Sequence, residues 1–420
     1  MIERVSLFNK KRDFFIFIFA CFLILSVSLF IEYRNFLEFN RFDSALVEAT
    51  VLKQYIKSKN NRTYQVLKLK SSDGLTFYTT AKKSLQDVKT KRLKLEIWPK
   101  DLNFHGYLTT FYANSKIEDI NESHSLKNDL NYYISASHED KNIANIYQAL
   151  YTAAPLDSDL QKMFSNLGVS HLLAISGFHL GVLSALLYLF LRPVYSFAQN
   201  RYFPYRNSKL DIFLAVAFTL FFYMLFLDSP PSLIRAFGML VVGFVLYDRG
   251  IKIVSMQTLF LSVLLILSFF PRLFFSLGFW LSSCGVFYIF LFLIHFKHLS
   301  KLWQFILLPI WVYILMLPFS LAIFENFSIY HPLSIIWTTL FTLFYPLSIF
   351  LHVINFGDFF DAPLLWLIEM GKEGVLVKLN LYLFYFYLTL SIGAVFLRFF
   401  MWVLLLFGLS VFIYAIYNVA

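Results

Sequence analysis

Reactive and polar side chains gather at the start of a long apolar stretch, residues 168–193. If this stretch is one helix, Ser176 and His179 are neighbours at positions i and i+3. Such a pair could act as a nucleophile and its general base. A carboxylate that would orient the histidine is missing nearby, so the pair suits hydrogen bonding between packed helices equally well. Polar groups at membrane depth are costly, and these are expected to face protein or a water-filled path.

Small residues recur along the same stretch at spacings of three or four. The members of this stripe are Ala174, Gly177, Gly181 and Ala185. Gly177 and Gly181 form a GxxxG pair, which lets a second helix backbone come close. His171 lies eight residues before His179, so one continuous helix would place both rings on a broad shared face. The pattern predicts close helix packing around a polar stripe.

A second polar feature is Arg235, about two turns inside an apolar segment. An arginine at membrane depth costs about 3 kcal/mol on insertion scales, so it is expected to face a cavity or an anion. Ser229 is expected to cap this helix, because the first helical turn accepts the prolines that follow. The alternatives for Arg235 are snorkelling to the membrane surface or an ion pair with Asp228, seven residues back.

The hydrophobic composition predicts that membrane helices position the serine, histidine and arginine residues named above. The chain of 420 residues is 58% hydrophobic and contains 52 Phe, far beyond the soluble norm. Apolar runs of spanning length predict a polytopic α-helical membrane protein with about ten spans. The predicted spans are 14–31, 171–191, 210–227, 232–247, 254–270, 274–295, 303–324, 332–352, 379–397 and 399–417. Both cysteines, Cys21 and Cys284, lie in apolar runs, so no disulfide framework is indicated.

Basic residues flank the predicted spans unevenly, which orients the chain. Lysines and arginines at positions 4 to 12 and 192 to 209 fall on one side of the membrane. The positive-inside rule makes that side the cytoplasm, so residues 32–165 are expected outside the cytoplasm. The predicted organisation is a cytoplasmic tail and anchor at 1–31, a β domain at 32–120 that the family resemblance given below makes periplasmic, an amphipathic helical segment at 121–165 and a multi-span domain at 166–420.

The predicted β domain is small and rich in positive charge. Runs at 45–52, 64–70, 75–81 and 93–97 have strand character, and residues 71–74 suit a hairpin turn. Four or five short strands favour a small all-β, OB-like barrel. Residues 53–100 contain 13 Lys/Arg and three Asp/Glu, with Tyr55, Tyr64, Phe77, Tyr78 and Trp98 interleaved. A basic surface with aromatic platforms is typical of single-stranded nucleic-acid binding, although a solvated basic face explains the charge alone.

Several motifs resemble the ComEC family of competence proteins. His171 to Gly181, HLLAISGFHLG, is similar to the family signature HLLAISGLHIG. Ser229 to Met239 resembles the family pattern SPSxxRAxxM, and Gly278 to Ser282 resembles GFxLS. Residues 317–333 resemble the later Pro and Phe-Ser signals, but the Asn that the family carries before its next Pro is missing. The resemblance is to a short form without the metallo-β-lactamase-like domain that many members carry after the membrane region.

This resemblance implies an inner-membrane channel component that translocates single-stranded transforming DNA from the periplasm to the cytoplasm during natural competence. The expected path in the membrane uses His171, Ser176, Gly177, His179, Gly181, Ser229, Ser232, Arg235 and Ser282. The expected DNA-binding barrel residues are Lys53, Lys57, Lys59, Arg62, Lys82, Lys83, Lys91 and Arg92. Implied partners are single-stranded DNA, membrane lipid, a periplasmic DNA receptor and a cytoplasmic motor, with a homo-oligomer left open.

Other function classes stay open at this point. Arg235 and the basic barrel would serve a transporter of another polyanion, and Ser176 with His179 would serve an intramembrane hydrolase. No nucleotide-binding loop or zinc-ligand spacing occurs in the sequence. The leading expectation is a channel, with no enzyme activity, no metal and no cofactor.

Overall fold

The protein is described here by a computed structural model that covers residues 8, 10–59, 62–86, 88–89, 91–121 and 126–419. Contacts within the chain separate two compact units. The smaller unit comprises residues 15–133 and 267–276, and the larger one includes residues 134–266 and 277–419.

The smaller unit contains a membrane-length helix and a closed five-stranded barrel. Its elements are α1 (Lys11–Phe39), β1 (Ala45–Lys59), β2 (Arg62–Ser71), β3 (Thr76–Ala81), β4 (Arg92–Pro99), α2 (Phe104–Leu108) and β5 (Phe111–Asn121). The strand order around the barrel is β1-β2-β3-β5-β4. β3 and β5 pair in parallel, whereas the other neighbours pair antiparallel.

Side-chain alternation places the barrel core. In β4, Leu93, Leu95 and Ile97 are buried while the residues between them point outward, as a period of two requires. The predicted turn before β3 forms, with Gly74 in the left-handed region at φ +79°, which favours glycine. The predicted small all-β domain is confirmed as a barrel, and β5 is a strand that the sequence reading did not delimit.

A turn from the membrane part of the chain belongs to the barrel unit. Residues Pro271–Phe275 form a 3-10 turn. Arg272 donates from Nη2 to Glu32 Oε2 at 2.7 Å, and its guanidinium lies 5.1 Å from the ring centroid of Tyr107. These contacts attach the turn to α1 and to α2 of the barrel unit.

The remaining helices follow in chain order. They are α3 (Leu126–Ala136), α4 (Lys141–Thr152), α5 (Ser158–Asn166), α6 (Ser170–Leu173), α7 (Gly177–Tyr202), α8 (Ser208–Phe226), α9 (Pro231–Asp248), α10 (Met256–Phe269), α11 (Leu277–His295), α12 (Lys301–Ile323), α13 (Ser334–Val353), α14 (Asp361–Met370), α15 (Leu381–Phe396) and α16 (Arg398–Tyr417). Two short strands, β6 (Asn326–Phe327) and β7 (Val375–Leu376), pair antiparallel.

Helix lengths agree with a polytopic membrane protein. All ten predicted spans form apolar helices, but only eight in the described part of the chain have spanning length and composition. The helices α10 and α15 have 14 and 16 residues, short of the ~20 residues that a bilayer needs. Pro271 follows α10 closely, and the extended residue Leu397 separates α15 from α16. In the predicted amphipathic segment at 121–165, the described residues form three helices, α3, α4 and α5.

Candidate functional site

The helix predicted across residues 168–193 is broken before its middle. α6 ends at Leu173, Ala174 is extended, and α7 begins at Gly177. Ser176 has φ −133° and ψ 177°, and its hydroxyl accepts a hydrogen bond from the backbone N–H of Phe178 at 3.3 Å. Serine competes for backbone groups in this way at helix starts. The prediction of one continuous helix is therefore wrong, because Ser176 is the N-cap of α7.

The ring of His179 completes this cap. Its Nδ1 lies 3.2 Å from the backbone nitrogen of Ser176 and 3.1 Å from the Ser176 hydroxyl, the reciprocal arrangement of a capping box. Nδ1 therefore accepts, and we assign the proton of the neutral ring to Nε2. Nε2 is buried and has no hydrogen-bond partner among the described residues. An unpaired buried donor of this kind costs about 1–3 kcal/mol and needs an explanation.

His171 does not join His179 on one helix face. His171 lies in the four-residue α6, and its side chain is exposed, whereas His179 is fully buried in α7. The expected common helix face is therefore wrong, because the extended link at 174–176 divides the chain into two helices, each with one of the rings.

Of the four residues in the small-residue stripe, only Gly177 shows the predicted close packing against another helix. A Cβ built on Gly177 would lie 3.0 Å from the Cβ of Ala236 and 3.3 Å from Nη2 of Arg235, so α9 approaches α7 closely here. A Cβ on Gly181 would meet nothing within 4 Å, and Ala174 and Ala185 are exposed. The GxxxG packing prediction is therefore wrong for Gly181, because no neighbouring atom comes close to that position.

Gly177 and Gly181 thus offer a matched pair of variants. Gly177→Leu is expected to destabilise the membrane domain by about 1–3 kcal/mol or more, because the added side chain overpacks against Ala236 and Arg235. Gly181→Leu is expected to change stability little. Thermal unfolding of both full-length variants in detergent measures this difference. Equal losses for the two variants would contradict the assigned contact.

Arg235 is the buried charge of the site. It lies in α9, is 3% exposed, and bonds through Nη1 to the sulfur of Met239 at 2.9 Å and through Nη2 to the hydroxyl of Ser282. Its Nε has no hydrogen-bond partner among the described residues. Snorkelling is excluded by this burial, and the bonds go to a thioether and a hydroxyl, so Asp228 is not the partner of the guanidinium.

The turn before α9 differs from the predicted cap. α9 begins at Pro231 with Pro230 as its N-cap residue, and Ser229 lies in the left-handed region at φ 50°. The Ser229 hydroxyl instead faces the carbonyl of Met224 at 3.5 Å. Ser232 donates to the carbonyl of Ile175 at 2.7 Å, which ties α9 to the link before α7.

The structure thus gathers part of the predicted membrane site. Gly177, Arg235 and Ser282 lie together, and Ser232 fixes α9 to the adjoining link. His171 is exposed, the Ser229 hydroxyl faces Met224, and a Cβ on Gly181 would meet nothing within 4 Å. A buried guanidinium with a free Nε–H beside a hydroxyl is suited to an anion with several oxygens, since charge-assisted hydrogen bonds of arginine to phosphate are strong.

A second candidate surface lies on the barrel. Tyr64, Thr80, Ala81, Lys82 and Tyr112 line an open depression of about 550 Å³. The Tyr112 ring is 44% exposed, and its hydroxyl lies 3.0 Å from that of Thr80. Two tyrosines and a lysine around one depression match the combination of stacking and charge that single strands need. Tyr112 was missed by sequence reasoning because it lies in β5, although the aromatic pair Phe111-Tyr112 is a strand signal.

The other predicted barrel residues spread over the surface. Lys53, Lys57, Lys82, Lys83 and Arg92 are exposed, and Lys91 is partly buried. Partial desolvation, with the nearby charge of Lys68, lowers the pKa of Lys53. The backbones of Lys59 and Arg62 pair across the β1–β2 hairpin, but both side chains fall outside the described part of the chain.

The prediction that Phe77 is an exposed aromatic platform is wrong. Phe77 is fully buried in the barrel core and stacks on Phe111 with ring centroids 5.6 Å apart. Its position on the inward face of β3 leaves it unavailable for bases.

Comparisons with known proteins show which family the membrane part of the chain matches. A family model described as "Competence protein" matches residues 152–419. An uncharacterized protein of Aquifex aeolicus (strain VF5) is 28% identical over 142 residues, which is 34% of this chain and 31% of that relative. The match thus spans less than a third of the relative's length. No solved structure matches the chain.

Proposed function

This chain belongs to the Competence protein family, and from that premise we propose that it passes single-stranded DNA across the inner membrane into the cytoplasm. Its membrane helices supply the path, and its five-stranded barrel is an OB-like domain that receives the strand in the periplasm. The energy source and the delivery of DNA belong to partners, a cytoplasmic motor and a periplasmic DNA receptor.

The observation that carries this proposal is Arg235. Its guanidinium is buried about one turn into the membrane-length helix α9, yet its Nε–H lacks a partner among the described residues. Arginine at this depth is costly unless it serves a pathway or an anion. A phosphate passing along α9 would satisfy the free donor, and Gly177 keeps a side chain from filling the space beside Nη2.

The barrel favours a nucleic acid over other polyanions. A site for an anionic polymer without bases needs only positive charge, whereas the barrel depression places Tyr64 and Tyr112 beside Lys82. Base stacking on aromatic rings contributes about 1–3 kcal/mol per base. Two tyrosine rings next to a lysine therefore favour a single-stranded nucleic acid, whose unpaired bases can stack, as the ligand.

The same geometry argues against a serine hydrolase. A catalytic histidine is oriented by a third group on its second nitrogen, but Nε2 of His179 has no partner among the described residues. Nδ1 is already engaged by the backbone N–H of Ser176. The contact between the two side chains is accounted for by the cap of α7.

Ser176→Asn separates the two functions. Asparagine caps helices about as well as serine but has no nucleophilic hydroxyl, so DNA delivery to the cytoplasm is expected to stay near the wild-type level. Ser176→Val, which removes both cap and hydroxyl, is the destabilised control, with an expected loss of about 0.5–2 kcal/mol. Abolished delivery by a stably folded Ser176→Asn protein would favour the hydrolase.

A further inference from the structure

A buried row of polar side chains lies in the larger unit, apart from Arg235. Nδ1 of His138, which precedes α4, lies 2.9 and 3.0 Å from the two carboxylate oxygens of Asp361 in α14. Nε2 of His138 lies 3.1 Å from Nε2 of His352, near the end of α13. The side chain of His138 is fully buried, and that of Asp361 is 21% exposed. Three elements therefore meet through one carboxylate and two imidazoles.

The outer nitrogen of each ring faces an acceptor. Nδ1 of His138 faces the carboxylate of Asp361, and Nδ1 of His352 lies 2.7 Å from the backbone carbonyl of Ser348. An ionised carboxylate and a carbonyl only accept hydrogen bonds. Each Nδ1 must therefore carry a hydrogen. The Tyr151 hydroxyl, 3.3 Å from Nδ1 of His352, donates to the Ser348 hydroxyl at 2.8 Å and does not change this assignment.

This assignment leaves the two inner nitrogens with a deficit of one proton. A neutral imidazole with hydrogen on Nδ1 has only a lone pair on Nε2. Two lone pairs that face each other at 3.1 Å in a buried place repel, whereas the distance suits one N–H···N hydrogen bond. One additional proton must lie between His138 and His352. If Asp361 holds it instead and donates to His138, the total is the same.

We propose that Asp361, His138 and His352 form a buried proton-binding site that takes up one proton when the segment before α4 packs on α13 and α14. The ligand is the proton itself, and the ionised carboxylate balances its charge. This site is independent of the DNA path and would exist in a protein with any cargo.

The titratable groups around the pair favour a positive charge. From α4, the ring of Tyr147 stacks on His138 with centroids 4.5 Å apart, and Tyr151 meets His352 edge-on at 5.2 Å. Burial raises the pKa of Tyr147 and of Tyr151, so both stay neutral. From the α13–α14 side, Asp358 and Asp361 act electrostatically on Tyr147. The charges that face the histidines are thus acidic.

A metal ion is the competing occupant of the same lone pairs. Histidine ligands commonly donate from their other nitrogen to a carboxylate or a carbonyl, as both rings do here. A structural zinc site needs four ligands, and no group of three or more His, Cys, Asp or Glu in the described residues is placed to hold a metal. The pair also lies at hydrogen-bond distance, so we assign the proton.

The test is histidine-labelled NMR of the full chain in detergent, with ring nitrogens followed from about pH 5 to pH 9. Among the rings with both nitrogens protonated at the acidic end, we expect one signal that is absent from the spectra of both His138→Gln and His352→Gln. His298→Gln alters an exposed histidine and should leave that signal unchanged.

Asp361→Asn keeps the shape of the site and removes its negative charge, so it also serves if the histidine variants fail to fold. The point of proton release is expected to move to lower pH, because the negative charge that faces the protonated pair is removed. Two neutral rings beside an ionised Asp361 at every pH, or no movement in Asp361→Asn, would overturn the proposal. Binding of one Zn²⁺ per chain that requires both histidines would overturn it in favour of a metal site.

Discussion

Arg235→Ala is expected to lower delivery of DNA into the cytoplasm by ~10- to 100-fold, because a hydrogen bond to a charged group is worth about 1.5–3 kcal/mol. The guanidinium is buried in α9 and has a free Nε–H among the described contacts. Phosphates that reach this depth would lose their fixed positive partner. DNA bound outside the inner membrane should be unchanged, since the barrel is untouched. The measurement compares labelled DNA held outside with labelled DNA delivered inside.

Two further variants sharpen this prediction. Arg235→Lys should restore delivery only in part, because an ammonium cannot make the forked contacts of a guanidinium. Arg249→Ala removes an exposed arginine that caps the other end of α9 and should deliver DNA normally. Normal delivery by a folded Arg235→Ala protein would show that Arg235 only packs between helices.

The second large effect is expected at the barrel depression. Full-length protein should bind single-stranded DNA without strong sequence preference, and log affinity should fall with log salt at about −0.7 per phosphate contact. Lys82→Glu with Lys83→Glu should weaken binding and flatten that slope by up to ~1.4, if both lysines contact phosphate. Titration of labelled oligonucleotide at several salt concentrations measures both quantities.

Stacking and charge can be separated at the same surface. Tyr112→Ala should weaken binding by ~5- to 150-fold, the loss of about 1–3 kcal/mol of stacking, and should leave the salt slope unchanged. Tyr112→Phe keeps the ring and should bind nearly normally. Lys100→Glu makes the same charge change as Lys82→Glu at an exposed residue outside the depression. If Lys100→Glu weakens binding as much as Lys82→Glu, the barrel acts through diffuse charge alone.

Much of the scaffold could be predicted because it follows from local periodicity. Apolar runs located all the long helices, since a span must be long and apolar to satisfy its backbone in lipid. Alternation in Leu93 to Ile97 located β4 and its inward face. The strand β5 (Phe111–Asn121) was not delimited, because its second half, SKIEDIN, shows no alternation of apolar and polar residues. Its two isoleucines fall on opposite faces, so the sequence does not indicate which face is buried.

The candidate site was less predictable, because it depends on contacts between distant segments. The apolar surroundings singled out Arg235 and the family resemblance singled out Ser282, but only the fold shows that these residues, 47 apart in sequence, bond to each other. The break at Ser176 has a local signal, a serine followed three residues later by a side chain that reaches back. A histidine in place of the usual glutamate concealed that capping box. His138 and His352, 214 residues apart, gave no sequence signal.

The most direct measurement places a thiol on the proposed path and asks whether DNA in transit touches it. Cys21 and Cys284 are first replaced by serine, and Ser282→Cys or Gly181→Cys is then introduced into the full chain. Single-stranded DNA with a thiol-reactive group on its backbone is supplied from outside. If the strand passes beside Arg235, a covalent adduct should form at residue 282 and not at the open face of residue 181. Normal DNA delivery without an adduct at residue 282 would contradict the proposed path.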